Sequence, residues 1–229
     1  MRIRCLTVKV VEKLVLVVCG LMLVAATGCS TYRRETFLES HSLDRFIEDR
    51  PASARLLAQH SALATWLRTE WKAPINEYRI YWSNDQPAIS LAEHGFMPEY
   101  KLIVIRVSRN LVPADQLESL VFEICNAQEF SNIQALDADA AAGGVTREDY
   151  LNRINQLEYN AVLRVKKIFP PMLPLSPEEL AATNLYRHLL KVPDDFHEYE
   201  KWISSVLDSN YLRNQKFYGE RYDRLVKKQ

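Results

Sequence analysis

The sequence predicts an α+β fold that is mainly helical and contains a small antiparallel sheet. Apolar side chains recur every three or four residues through several long segments, which is typical of the buried face of a helix. Two or three short stretches have the pattern of strands instead. The chain has 229 residues, of which 48% are apolar, and this suits one globular domain with a sizeable core.

The helices of the first third are predicted from periodicity and from proline. A short helix is predicted at Leu43–Glu48, and Pro51 stands where a longer one would begin. Pro74 would end that helix. Its apolar stripe contains Leu56, Leu57, His60, Leu63, Ala64, Leu67 and Trp71. We interpret His60 as a core histidine rather than a ligand.

The strands are predicted in the next 30 residues. Alternation in Tyr78–Trp82 predicts a strand, and Ala88–Ala92 is a second short candidate. Gly95–Pro98 is predicted to be a loop. Lys101–Val107 is almost continuously apolar, which favours a central strand. His94 would then lie in a loop, where a solvated side chain is a simpler interpretation than a ligand.

Two long helices are predicted to follow the sheet. The first begins near Pro113 and runs to about Ala135, with a stripe formed by Leu117, Leu120, Val121, Ile124 and Cys125. The segment Asp137–Gly144 would end it. The second begins at a cap formed by Thr146 and Asp149 and runs to about Ile168.

Glu158 falls inside the apolar stripe of the second helix. A carboxyl group placed there is expected to be buried and must find a partner or stay protonated. One interpretation is a structural carboxylate bonded to Asn126, a tyrosine hydroxyl or an arginine. The other is the remnant of a metal or binding site.

The C-terminal part is predicted to be helical and then basic. Phe169–Pro177 is predicted to be a rigid connector, and Ser176 with Glu179 would cap a further helix. Pro193 would stop that helix, and Asp194 or Asp195 would cap the last one. The basic segment 213–229 could contact anionic lipid or peptidoglycan, or form a solvated helix.

A motif in the first long helix carries the main functional hypothesis. Phe122, Glu123 and Asn126 have the spacing F-E-x-x-N, which is that of the zinc-binding helix H-E-x-x-H. Here the chain resembles a degenerate zincin of the small gluzincin kind over residues 50–169. The resemblance matches Glu158, 32 positions after Asn126, to the third zinc ligand.

The resemblance implies a zincin-like arrangement of sheet, motif helix and Glu-bearing helix, without the chemistry. Phe122 has no lone pair to donate, and Asn126 offers only a neutral carbonyl oxygen. A catalytic zinc needs three protein ligands, so we expect no bound metal, no cofactor and no catalytic residue. The alternative is an ordinary core helix with an incidental motif.

The N-terminus predicts export. A basic stretch precedes the apolar run Leu14–Ala26, and small residues then lead to Cys29, as in a secretory signal peptide. This resembles the lipobox of bacterial lipoproteins. It implies cleavage after residue 28 and a thioether lipid on Cys29, usually with an N-acyl group such as palmitate. The alternative is an uncleaved membrane span, for which the run is shorter than the ~20 residues required.

The expected organisation follows from these segments. Residues 1–28 would be the signal peptide, 29–49 the lipidated cysteine and its tether, and 50–212 a single zincin-like α+β domain that includes C-terminal helices at 177–212. The basic tail would be 213–229. By the sorting rule of the lipoprotein family, Ser30 favours the outer membrane, with the domain facing the periplasm.

Composition excludes one class of function and leaves three hypotheses. The net charge is zero, and about −3 without residues 1–28, so there is no case for nucleic-acid binding. The first hypothesis is a catalytically inactive, metallopeptidase-like binding or scaffold module on the envelope membrane, with an envelope protein or peptidoglycan as partner. The second is a metal-dependent hydrolase that uses Glu123, Glu158 and the nearby His94. The third is a structural lipoprotein of unrelated fold.

Overall fold

The structure, a computed structural model, describes residues 43–87, 91–206 and 208–227, and the side chains among them outside 206–214. The predicted signal peptide, Cys29 and most of the predicted tether therefore lie outside the described residues. The described chain is mainly helical with one small sheet. Its helices are α1 Leu43–Asp49, α2 Pro51–Gln59, α3 Ser61–Lys72, α4 Pro113–Ala127, α5 Phe130–Ala141, α6 Arg147–Met172, α7 Pro177–Ala182, α8 Leu185–Leu189, α9 Phe196–Val206 and α10 Asp208–Val226.

The sheet has three strands, β1 Arg79–Trp82, β2 Ala92–Met97 and β3 Leu102–Val107, in the order β1-β3-β2. The prediction that the third strand is central is confirmed. The prediction of an antiparallel sheet is wrong in part, because β1 runs parallel to β3 while β2 runs antiparallel to it. The chain crosses from β1 to the far side of β3 and returns through a short 3-10 turn, so β2 and β3 form a hairpin and β1 is left parallel.

Strand β2 corrects two further predictions. The predicted loop Gly95–Pro98 and the predicted loop histidine His94 are wrong, because Ala92–Met97 pairs along its whole length with β3. Ladder hydrogen bonds outweigh the low strand propensity of glycine at Gly95. The predicted strand Ala88–Ala92 falls largely on residues 88–90, which lie outside the described residues.

The first long helix predicted from periodicity is two helices. The backbone of His60 leaves the helical region, with φ −123° and ψ 76°, and separates α2 from α3. The apolar stripe nevertheless continues across the break, since Leu57, Leu63 and Leu67 are all buried. The pattern therefore predicted the buried face correctly but not the bend.

Helix α4, the motif helix that carries F-E-x-x-N, lies at the centre of the core. Its stripe residues Leu117, Leu120, Val121, Ile124 and Cys125 are completely buried. The helix ends at Ala127 rather than near Ala135, and α5 begins three residues later. The segment Asp137–Gly144 does not break the helix before Ala141. The end is instead a C-cap of the Schellman type, in which Gly143 has φ +72° and Gly144 N donates to the carbonyl of Asp139 at 2.8 Å.

The caps predicted for the following helices are confirmed. Thr146 accepts a hydrogen bond from the backbone N–H of Asp149 at 3.1 Å at the start of α6. Ser176 and Glu179 form a reciprocal capping box at the start of α7. Helix α6 continues to Met172, so the first part of the predicted connector is helical, and its buried Phe169 packs against the ring of Tyr186.

The last helix, α10, packs against α5 and α6. Tyr222 donates a hydrogen bond to the carbonyl of Val145, and Arg221 forms an ion pair with Asp137. Part of the predicted basic tail is therefore a packed helix and not a solvated one. Among the described residues, no helix combines the length and apolar composition that a membrane crossing requires.

Candidate functional site

The three motif residues on helix α4 differ in how deeply they are buried. Glu123 and Asn126 are buried, with 5% and 6% of their surface exposed, whereas Phe122 is partly exposed and packs against the main core. The apolar stripe of α4 faces that core, and Glu123 lies beside the stripe. Its carboxyl group must therefore be compensated by a neighbouring element.

His94 provides that compensation. Its Nδ1 lies 2.7 Å from Oε2 of Glu123, and the two side chains are 13% and 6% exposed. The antiparallel register sets His94 opposite Ile105 of the central strand, close to the motif helix that packs on the sheet. Within the described residues, the Nε2 atom of His94 has no hydrogen-bond partner.

Glu158 is compensated by a different helix. The hydroxyl of Tyr218, on α10, donates a hydrogen bond of 2.5 Å to Oε1 of Glu158. The residue keeps some exposed surface, but burial of its carboxyl group raises the pKa of Glu158. Of the three partners considered for a structural carboxylate, the structure provides the tyrosine hydroxyl.

The two pairs influence each other electrostatically. Besides burial, the negative charge of Glu123 raises the pKa of Glu158, while His94 and the Tyr218 hydrogen bond lower it. Burial and the adjacent Glu158 raise the pKa of Tyr218 well above its ordinary value. We call His94, Glu123, Glu158 and Tyr218 the buried polar cluster. Four elements supply it, namely β2, α4, α6 and α10.

The residues do not fit the zinc ion of a gluzincin. Phe122 has no donor atom, and the Oδ1 atom of Asn126 is buried without a hydrogen-bond partner. Glu158 is the one retained ligand position, and its carboxyl group is bonded to Tyr218. Within the described part of the chain, no three His, Cys, Asp or Glu side chains are grouped so that they could hold a metal ion.

Other candidate residues have structural roles in the described region. Cys125 is completely buried, and burial raises the pKa of its thiol to about 12, so it is not a reactive thiolate at neutral pH. His60 stands at the junction of α2 and α3. Asp115, in the first turn of α4, accepts hydrogen bonds from the backbone N–H groups of Asn184 and Tyr186 and so fixes the start of α8.

Sequence reasoning proposed three members of the buried polar cluster, Glu123, Glu158 and His94, and missed Tyr218. His94 was assigned to a loop, although it was the histidine proposed for the hydrolase hypothesis. Tyr218 was not proposed as a site residue, since it lies in the basic segment 213–229. Its spacing from Arg221 and Tyr222 places all three on one side of a helix, and that signal could have indicated a buried face.

No model of a protein family matches the sequence, and comparisons with characterised proteins and with solved structures gave no match. The zincin and lipoprotein resemblances therefore remain predictions from the sequence.

Proposed function

We propose that the protein is a lipid-anchored envelope lipoprotein whose folded domain is a non-catalytic binding or scaffold module with a zincin-like arrangement. The anchor would be Cys29, behind a cleaved signal peptide. The domain would face the periplasm, at the outer membrane, and bind an envelope protein or peptidoglycan. Nucleic acid is not an expected partner, given the balanced charge.

One observation carries the non-catalytic part of the proposal. In the family that the motif resembles, the motif glutamate activates a water molecule and a second glutamate is the third zinc ligand. Here Glu123 is held by His94, and Glu158 by Tyr218. Each acid therefore bonds to a protein side chain, where a peptidase would have a water molecule at the first acid and a zinc ion at the second. We infer that these contacts join the sheet and three helices, and that they took over from a metal centre.

The metal part of the proposal is tested by loading the purified protein with zinc and measuring its metal content. We expect no stoichiometric zinc and no peptidase activity, because Phe122 and Asn126 supply no imidazole. One tightly held zinc ion per chain would contradict the proposal. A Phe122→His, Asn126→His double variant is the matched positive control, since it restores the H-E-x-x-H spacing.

The anchor is tested separately by labelling cells with radioactive palmitate. We expect Cys29→Ala to abolish labelling, because the thiol that would carry the lipid is lost. Cys19→Ala, in the apolar part of the predicted signal peptide, is the control and should label normally. Equal labelling of the two variants would rule out Cys29 as the anchor.

The contact between His94 and Glu123 favours a second candidate, a hydrolase with an atypical site. The carboxylate would orient the imidazole and leave Nε2 open towards a substrate or metal, with Glu158 within electrostatic reach. Under this hypothesis, Glu123→Gln would remove a hydrolytic activity that Glu99→Gln, at an exposed position, would leave unchanged. If no activity depends on Glu123, this candidate fails.

A further inference from the structure

We propose that a second site, formed around Arg50, binds a small oxyanion of the phosphate type. It is a cavity of about 370 Å³ lined by residues that include Asp49, Arg50, Ala52, Asn84, Arg109 and Gln116. We call it the Arg50 cavity. It contains no member of the buried polar cluster, and the inference does not depend on the proposed function.

Arg50 is the first reason for this proposal. Only 5% of the residue is exposed, yet no carboxylate forms an ion pair with it within the described residues. Its Nη1 donates to the carbonyl of Asp49 and to Oδ1 of Asn84, and its Nη2 donates to the carbonyl of Val107. These bonds use three of the five N–H donors of a guanidinium group.

The remaining donors of Arg50 lie on the edge that arginine uses to bind oxyanions. Its Nε has no hydrogen-bond partner but less than 1 Å² of accessible surface, so an oxyanion reaches it only if the side chain shifts towards the cavity. The second hydrogen of Nη2 is also unused. Nε–H and Nη2–H together form the parallel fork that matches two oxygens of a phosphate or carboxylate. The guanidinium group lies over the ring of Trp82, 5.1 Å from its centroid, which compensates part of its charge but does not pair the unused donors.

Arg109, which is solvent-exposed, adds a second cation to the same cavity. Its Nη2 donates to the backbone carbonyl of Asn84 at 2.9 Å, and no described carboxylate pairs with it. The proximity of Arg109 lowers the pKa of Arg50, after burial, which is the larger cause. One acid, Asp49, also lines the cavity, and its negative charge raises the pKa of Arg50. Its Oδ2 accepts a hydrogen bond from Nε1 of Trp82, and its Oδ1 lies 3.7 Å from Nε of Arg45.

The start of helix α2 contributes a third favourable element. No side chain caps this nine-residue helix, and Pro51 occupies its first position. The N–H groups of Ala52 and Ser53 belong to the first turn, which has no partners within the helix, and the helix dipole is positive at this end. Ala52 lines the Arg50 cavity, so the backbone and both guanidinium groups favour the same sign of charge.

These features indicate the chemical class of the ligand. Two guanidinium groups and a helix N-terminus outweigh the single carboxylate of Asp49 and so favour an anion. The fork of Arg50 selects an anion with at least two oxygens on one atom. A phosphate group meets both requirements, and the volume leaves room for a small organic substituent. The phosphate could be free, or it could belong to a lipid headgroup near the membrane.

The proposal is tested by titrating the full-length protein in detergent with inorganic phosphate. Binding is measured by isothermal titration calorimetry at constant ionic strength. We expect saturable binding that Arg109→Gln weakens ~10-fold, which corresponds to the loss of one charge-assisted hydrogen bond. Arg55→Gln is the matched control, since Arg55 is an exposed arginine on the same helix outside the cavity lining, and it should change affinity less than twofold. No binding, or equal weakening by both variants, would overturn the proposal.

Arg50 itself is tested with Arg50→Lys, which keeps the charge but removes the fork. We expect phosphate affinity to fall in a variant that still unfolds cooperatively, and unchanged affinity would contradict the role of the fork. If Arg50→Lys does not fold, the Arg109 comparison still decides the outcome. Competition by a short-chain, water-soluble phosphatidylglycerol would identify a lipid headgroup as the source of the phosphate, whereas phosphate binding without competition would identify a free phosphate.

Discussion

The buried polar cluster and the Arg50 cavity differ in whether their charged side chains have partners within the described part of the protein. In the cluster, each acid has a protein partner, with His94 bonded to Glu123 and Tyr218 bonded to Glu158. In the cavity, the guanidinium groups of Arg50 and Arg109 repel each other, and the single carboxylate of Asp49 only partly offsets their charge. Since buried charges are stable only when compensated, the acids of the cluster are compensated by neighbouring side chains, whereas the excess positive charge of the cavity is what motivates the proposed oxyanion ligand.

The largest expected effect comes from removing one partner inside the cluster. We expect His94→Leu to lower the free energy of unfolding by roughly 2–4 kcal/mol, because the buried Glu123 loses its partner. Urea denaturation measures this change, with exposed His197→Leu as the control. The double variant His94→Leu, Glu123→Leu should recover part of the loss. If the loss of unfolding free energy in the double variant equals the sum of the losses in His94→Leu and Glu123→Leu, the two side chains do not stabilise each other.

The next effect concerns the second pair of the cluster. Tyr218→Phe should cost roughly 1–2 kcal/mol, because it leaves the Glu158 carboxyl group without its donor. Glu158→Leu should be tolerated better, since it removes the group that needs compensation. Thermal unfolding of both variants, beside exposed Tyr100→Phe, gives the comparison. A greater loss for Glu158→Leu than for Tyr218→Phe would contradict a structural role for this pair.

Stability should also depend on pH through a buried acid near the cluster. Burial, together with Asp115 and Glu123, raises the pKa of Glu118 from 4.5 to about 8. The folded state therefore holds this proton more tightly than the unfolded state. The protonated Glu118 therefore makes its full contribution to the free energy of unfolding below about pH 4.5, and this contribution is lost as the pH rises through about 8.

We expect Glu118→Gln to remove about 1 kcal/mol of the pH dependence of the unfolding free energy between pH 6 and pH 7. Denaturation series at the two pH values measure the difference, with Glu99→Gln at an exposed position as the control. An unchanged slope would mean that Glu118 is ionised in the folded protein.

The smallest effect is expected in the Arg50 cavity. Arg109→Gln in phosphate-free buffer should change the unfolding free energy by no more than about 0.5 kcal/mol, because relief of repulsion from Arg50 offsets the lost bond to Asn84. Thermal unfolding with and without phosphate then separates stability from binding. A large loss of unfolding free energy in phosphate-free buffer would show that Arg109 stabilises the fold, as the cluster residues do. It would contradict the expected difference between the two regions.

Features set by neighbouring residues could be predicted from the sequence. The caps at Thr146 and Ser176 depend on side chains three residues apart, and both were located correctly. The face of the motif helix was also correct, because the stripe from Leu117 to Cys125 is set by helical periodicity. Burial of Glu158 followed from the same periodicity, since its carboxyl group lies inside a stripe.

Features set by distant contacts could not be predicted in this way. The parallel pairing of β1 with β3 depends on how the chain crosses the sheet, which no local pattern encodes. Gly95 indicated a loop, although pairing with β3 makes it part of a strand. The breaks at His60 and after Ala127 contain neither proline nor glycine, so the usual signals of a helix end were absent.

The bond between Tyr218 and Glu158 has a consequence for biosynthesis. Tyr218 is translated 60 positions after its partner. Until it emerges from the ribosome, the nascent chain cannot bury Glu158 together with a hydrogen-bond donor. Helix α6 can therefore reach its final packing only after helix α10 has been synthesised.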